Sequence, residues 1–191
     1  MLEIPKGILQ FLYKAVMNKQ LEIKFQKLEE LRLSIITLFQ DIPEDILNRK
    51  PFENKWSPLQ ILYHIIRAEQ ATMIAIKRSI KDYQLKEDLG FFASLKALQL
   101  QFLFSLPLKF KAPKGVDNIP ENPHFDELIK KWESVRKDMM DFFQSIPPDA
   151  MNKNLFSTWY SNKMNIYHVS VFLVLHSERH YRQIKNLIRT S

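Results

Sequence analysis

The chain has 191 residues and a mass of 22.8 kDa, with 46% hydrophobic and 26% charged residues, which suits one globular domain and excludes disorder over most of its length. The absence of cysteine excludes disulfide scaffolds, Cys-ligated zinc, iron–sulfur clusters and a cysteine nucleophile, and three glycines are too few for a phosphate-binding glycine-rich loop. The net charge of +7 comes from basic residues that are scattered and mostly lie beside acids, so it indicates a solvated surface and does not favour a nucleic-acid partner.

No apolar run is long enough to span a bilayer, so no membrane partner is expected. The N-terminal segment carries Glu3 and Pro5 and lacks a continuous apolar stretch, which makes it a poor signal peptide. A cytoplasmic location is therefore expected.

The first predicted element is a helix over residues 20–40, since apolar residues recur there at helical spacing and Pro43 follows as a stop signal. Residues 1–19 are interpreted as an N-terminal extension of a single domain over residues 1–191. A short separate helix is expected within this extension, over residues 8–17.

The second predicted helix starts at Ser57 and Pro58 and continues to about Ile80, because Ser is a natural N-cap and Pro suits the first helical turn. A third, shorter helical segment is expected over residues 90–105. A loop over residues 109–122 follows it.

The fourth predicted helix begins near Pro123, with Asn122 as its cap, and ends before Pro147 and Pro148. The fifth covers residues 163–188. The expected buried face of the fourth helix consists of Phe125, Leu128, Trp132, Val135, Met139 and Phe142.

An internal repeat relates residues 39–52 to residues 143–156 at an offset of 104 residues. Seven positions are identical, and Tyr63-His64 then recurs as Tyr167-His168. The alternative is a coincidence, since Ile-Pro and Asn are common in connectors. We favour a structural repeat, which predicts two related helical hairpins with the third helical segment inserted between them. An all-α four-helix bundle is the economical way to bury the four long apolar stripes.

His176 and His180 lie four residues apart on the fifth predicted helix, so they share one face, and a helical wheel places them within its apolar stripe. This spacing lets two imidazoles converge on one metal ion. The motif alone leaves open whether they bind metal or are satisfied core or surface histidines.

His64 is the third candidate ligand, because it aligns with Ala68, Ala71 and Ala75 on the second helix. Small residues at this spacing leave room either for a ligand pocket or for close helix packing. Glu69, five residues after His64, is expected to point away from it.

Two histidines are expected to lie outside such a site. His168, the repeat counterpart of His64, is interpreted as a capping, core or outer-shell residue. His124, beside Pro123, is expected on the surface.

The segments WSPLQILYHIIRAE (56–69) and HSERHYRQI (176–184) together resemble the DinB-like, or YfiT-like, superfamily, and KFKAP (109–113) is similar to one of its subgroups. The resemblance covers about residues 20–190. It implies an up-down-down-up four-helix bundle, often dimeric, with a divalent metal held by three histidines, and a homodimer is therefore expected.

In this sequence the positions implied to hold the metal are His64, His176 and His180. Gln183 also follows the family pattern and is expected either to hold a ligand ring or to belong to the helix interface. Trp56 and Ala68 are expected to form part of the pocket wall.

Three imidazole ligands leave a coordination position on the metal open, which is the arrangement found in catalytic sites. The expected metal is zinc or nickel, and manganese and iron are further candidates. The resemblance implies a small-molecule substrate and either hydrolysis by an activated water or transfer to a low-molecular-weight thiol cosubstrate. The alternative is a non-catalytic metal- or ligand-binding stress-response module. A nucleic-acid-associated protein, motivated only by net charge, ranks last.

Overall fold

The structure, a computed structural model, describes residues 6–89, 118–158 and 161–190, which are mostly helical. Its helices are α1 (Lys6–Phe39), α2 (Glu44–Leu47), α3 (Pro58–Ser79), α4 (Phe125–Ser145) and α5 (Ile166–Thr190). Two 3₁₀ helices, Ile80–Leu85 and Pro148–Ala150, and two short strands, β1 (Phe156–Thr158) and β2 (Ser161–Met164), complete the described elements.

Helix α1 is continuous from Lys6 to Phe39, so the prediction of a separate helix over residues 8–17 was wrong. In its described half, Leu21, Leu28 and Ile35 are buried at a spacing of seven residues, which is two helical turns. This stripe packs against α4 and α5.

Helix α3 begins where the sequence predicted. The hydroxyl of Ser57 accepts a hydrogen bond from the backbone N–H of Gln60, and the side chain of Gln60 accepts one from the backbone N–H of Ser57. This reciprocal capping box satisfies two backbone donors that a helix start leaves unpaired. It fixes the register of the helix that carries His64.

Helix α4 begins at Phe125, so the prediction that Asn122 is its N-cap was wrong. Glu44 of α2 performs that task, because one carboxylate oxygen accepts a hydrogen bond from the backbone N–H of Phe125 at 3.0 Å and the other lies 2.9 Å from Nδ1 of His124. A carboxylate at a helix N-terminus also interacts favourably with the helix dipole. The predicted apolar face of this helix is confirmed, since all six residues are buried or half-buried.

Helix α5 begins at Ile166, three residues later than predicted, because residues 161–164 form strand β2. β2 pairs antiparallel with β1, with Phe156 opposite Met164 and Thr158 opposite Ser161. This hairpin, whose strands have only three and four residues, was not predicted from the sequence.

The two connectors of the internal repeat have related structures. Pro43 and Pro147 have nearly the same backbone angles (φ −55°, ψ 141° and φ −62°, ψ 144°), and each precedes a single short helical turn. The repeat-related Leu47 and Met151 are both buried. The residues 104 positions apart therefore occupy equivalent places in the two connectors.

The buried apolar residues of the described chain form two clusters. Two of the long helices meet these clusters in one order and the other two meet them in the reverse order. The first includes Leu21, Leu28, Met73, Met139 and Leu173. The second includes Ile35, Leu62, Ile65, Trp132 and Ile184. α1 and α5 pass from the first cluster to the second, whereas α3 and α4 pass from the second to the first.

No helix in the described ranges has the length and apolarity needed to cross a membrane. The predicted third helical segment at 90–105 and the KFKAP segment at 109–113 lie outside the described residues.

Candidate metal centre

Three histidines from two helices converge between α3 and α5. Nε2 of His64 lies 3.3 Å from Nε2 of His176, and the candidate ligand atoms of His64, His176 and His180 all lie within 4.8 Å of one another. The ring centroid of His180 is 4.9 Å from that of His64 and 4.5 Å from that of His176. Within the described ranges, no other group of three or more potential side-chain ligands is this close.

The histidines are electrostatically suited to bind a cation as neutral bases. Burial lowers the pKa of His64 to about 4. Burial, followed by the nearby His64, lowers the pKa of His180 to about 3, and burial lowers the pKa of His176 well below its usual value. All three rings are therefore neutral at pH 7, and a neutral imidazole has one nitrogen lone pair available for a metal.

Hydrogen bonding identifies the nitrogen that the His180 ring offers, and geometry shows which nitrogens of the other two rings face each other. Nδ1 of His180 lies 3.0 Å from the side-chain oxygen of Gln183, which can only accept, so Nδ1 carries the proton and Nε2 has the lone pair. The Nδ1 atoms of His64 and His176 are buried and have no hydrogen-bond partner among the described residues. The Nε2 atoms of these two rings face each other instead.

The spacing of the rings fits a small divalent cation. Two nitrogens bound to zinc at about 2.0–2.1 Å in tetrahedral geometry lie about 3.3 Å apart. The Nε2 atoms of His64 and His176 have this separation. His64, His176 and His180 thus form a ligand set whose chemistry and spacing suit zinc.

Aromatic side chains enclose the triad. The ring of Trp56 lies 4.9 Å from that of His64, centroid to centroid, and the ring of Phe172 lies 5.6 Å from that of His176. Ala68 is half-buried one turn after His64, but Ala71 is exposed, so the predicted row of alanines does not continue as a buried stripe. Trp56 is in direct contact with the triad, and Phe172 is a contact that the sequence analysis did not identify.

The other two histidines, His168 and His124, lie outside the triad. His168 is buried at the start of α5, where its Nδ1 accepts a hydrogen bond from the backbone N–H of Asn165 and the Asn165 side chain accepts one from the backbone N–H of His168. It lies eight residues before His176, or about 12 Å along the helix axis. His124 is exposed beside Glu44, as predicted for a surface residue.

A buried ion pair lies close to the triad, and the sequence analysis missed it. Glu69 is fully buried and accepts two hydrogen bonds from Arg136, at 2.7 and 2.9 Å, and one from Nε1 of Trp132 at 2.9 Å. The hydroxyl of Ser177 lies 3.4 Å from the same carboxylate. Glu69 therefore does point away from His64, and its oxygens are committed to α4 and α5.

One of three comparisons with known proteins identifies a family for this chain. Neither a search of curated proteins nor a search of solved structures found a match. Residues 27–184, which include all three histidines and the buried ion pair, match the DinB superfamily. The chain belongs to the DinB superfamily.

Proposed function

We propose that this protein is a divalent-metal-dependent enzyme in which His64, His176 and His180 hold the ion through their Nε2 atoms. The observation that carries the proposal is the 3.3 Å separation between Nε2 of His64 and Nε2 of His176, two rings that burial keeps neutral. Zinc is the preferred ion, and nickel and iron are also compatible with imidazole ligands.

The ligand set favours catalysis over a structural role, because three protein ligands leave a coordination position open. When bound, the ion supplies an electrophilic centre that acidifies a water or thiol ligand. His64 approaches from α3, while His176 and His180 approach from α5, and Gln183 holds the His180 ring with its Nε2 available. Trp56 and Phe172 limit the access of water from their sides.

Two reactions suit such a site: hydrolysis of an ester or amide, and transfer of an electrophilic group to a low-molecular-weight thiol. The chain contains no cysteine, so the sulfur in the second reaction would come from the cosubstrate. A small-molecule substrate is expected in both cases.

For the fold we propose an up-down-down-up four-helix bundle formed by α1, α3, α4 and α5. The support is the order of the two apolar clusters, which is the same along α1 and α5 and reversed along α3 and α4. This arrangement brings the triad to the interface between the second and the last long helix.

A second candidate is a non-catalytic binding module. It is favoured by the state of Glu69, the carboxylate nearest to His64 along α3, which binds Arg136 and Trp132 and is not available as a general base. A direct hydrogen bond between His64 and His176 would also produce their 3.3 Å separation without a metal.

Turnover distinguishes the two candidates. Zinc-loaded protein is assayed with a panel of esters and amides and with electrophiles paired with low-molecular-weight thiols, alongside His176→Ala and the matched control His168→Ala. The enzyme proposal expects turnover of one class by the wild type and His168→Ala, and its loss in a folded His176→Ala. Stoichiometric metal binding with no turnover across the panel would favour the binding module.

A further inference from the structure

The pair formed by Glu69 and Arg136 lies where the two apolar clusters meet. On α3, Glu69 falls between Ile66 of the second cluster and Met73 of the first. On α4, Arg136 falls between Val135 of the second cluster and Met139 of the first. The interior is therefore divided by a layer in which charged side chains replace apolar ones.

All four long helices contribute to this polar layer. Glu69 belongs to α3, Arg136 and Trp132 to α4, and Ser177 to α5. Arg136 also reaches α1, because its Nη1 lies 3.4 Å from the carboxylate of Glu29.

The layer is directly connected to both helices that carry the triad. Ser177 follows His176 in the chain, and Glu69 lies five residues after His64, or about 7.5 Å along α3. The carboxylate of Glu69 thus contacts α5 at Ser177, beside His176, and it lies on the same helix as His64.

The buried ion pair between Glu69 and Arg136 is not expected to add much to the stability of the fold. Replacing a buried ion pair with apolar residues of similar volume is often neutral or stabilising, because both charges must be removed from water. A pair of this kind does, however, demand one relative position of its helices, since a two-bond contact between guanidinium and carboxylate has a fixed geometry. Metal ligands have the same demand, because their donor atoms must be held within a fraction of an ångström.

We infer that Glu69 and Arg136 are positioning residues for the metal centre: their two-bond contact holds α3 against α4, and the contact between Glu69 and Ser177 holds α3 against α5 at the position where the three histidines can bind one ion. This inference rests on the proposed metal site. It adds a role for two residues that do not touch the metal.

The test is a double variant, Glu69→Gln/Arg136→Met, which removes both charges together and leaves Trp132 an acceptor in the new amide. The measurements are zinc affinity by competition with a chelating dye, the visible absorption spectrum of the Co²⁺-substituted protein, and urea unfolding. Met139→Ala is the matched control, because Met139 is a buried residue of α4 outside the polar layer.

The double variant is expected to fold, to bind zinc about 10- to 100-fold more weakly than the wild type and to have an altered Co²⁺ spectrum, as is typical when groups that orient metal ligands are removed. Met139→Ala is expected to unfold at lower urea with zinc affinity and Co²⁺ spectrum unchanged. A folded double variant with wild-type zinc affinity and Co²⁺ spectrum would overturn the inference. So would an equal loss of affinity in Met139→Ala, because affinity would then merely follow stability.

Ser177→Ala keeps the test decisive if the double variant does not fold, because it removes only the contact from α5 to Glu69. Its expected effect is a loss of zinc affinity of about three- to tenfold, the usual value of one hydrogen bond. Unchanged affinity in Ser177→Ala would then overturn the inference. A wild-type protein that binds no metal would refute the proposed function itself, and this result is visible before any variant is made.

Discussion

Nε2 of His64 and Nε2 of His176 lie 3.3 Å apart, although 112 residues separate the two histidines in the chain. Their approach depends on the packing of α3 against α5, and burial keeps both rings neutral at pH 7. Folding alone therefore brings two neutral imidazole rings together with their Nε2 atoms facing each other. A cation that binds them will favour the folded chain over the unfolded one.

Zinc is accordingly expected to stabilise the wild-type protein. At a free zinc concentration 100 times the dissociation constant, the free energy of unfolding should rise by about 2.7 kcal/mol. The rise should disappear in His176→Ala and persist in His168→Ala, where the lost hydrogen bond from the backbone N–H of Asn165 lowers the baseline by about 0.5–1.5 kcal/mol. Urea unfolding with and without zinc measures both effects, and equal stabilisation of all three proteins would argue against the assigned ligands.

Gln183 is expected to tune the affinity of the site through His180. Gln183→Ala removes the acceptor for Nδ1–H of His180, and loss of such a partner typically weakens metal binding about 10- to 100-fold. Gln183→Glu should bind at least as tightly as the wild type, because a carboxylate makes the ring a better ligand. Competition with a chelator gives the affinities, with the exposed Arg182→Ala as control. The hydrogen bond has no role in binding if Gln183→Ala and Arg182→Ala behave alike.

The metal-free protein should lose stability in mildly acidic solution. The pKa of His64 falls from its usual 6.5 to about 4 on folding, so the unfolded chain takes up this proton first. Stability should be unaffected by this group above about pH 6.5 and should fall by up to about 1.4 kcal/mol per pH unit between the two values. Urea unfolding at several pH values should give a shallower slope for His64→Leu. An identical slope would show that the ring is not held in its neutral form.

The contact between α2 and α4 should contribute to stability in a pH-dependent way. Glu44→Ala removes the carboxylate that accepts from Phe125 N–H and should cost about 1 kcal/mol at pH 7. That hydrogen bond, with His124, lowers the pKa of Glu44 below 4.5, so the contribution is present above that pH and is lost as the pH falls below it. Thermal unfolding at pH 7 and pH 3 tests this, with the neighbouring exposed Asp45→Ala as control. A cost that is the same at both pH values would contradict this role.

Sequence alone predicted the features that depend on local chemistry. The start of α3 follows from Ser57 and Pro58, and the inward positions of His176 and His180 follow from the helical period. These are properties of one segment, so neighbouring segments are not needed to predict them.

Contacts between segments that are distant in the chain could not be predicted from local sequence. The cap of α4 comes from Glu44, about 80 residues earlier, and the partners of Glu69 lie on two other helices. Lys163 and Met164, the last two residues of strand β2, were assigned to the start of the fifth helix, because a strand of four residues has too few alternations to be distinguished from a helical turn. The cap of α4 and the partners of Glu69 therefore depend on contacts with no counterpart in local sequence, whereas the strand was missed because it is short.

The most direct test of the metal site is the metal content of the protein, purified without a His-tag or chelator and measured by elemental mass spectrometry. The site predicts about one divalent ion per chain in the wild type, as expected for a single set of three imidazole ligands. It also predicts loss of that ion in His64→Ala and His180→Ala, and its retention in His168→Ala. A wild-type protein that contains no metal, even after incubation with zinc, nickel or manganese, would contradict the account.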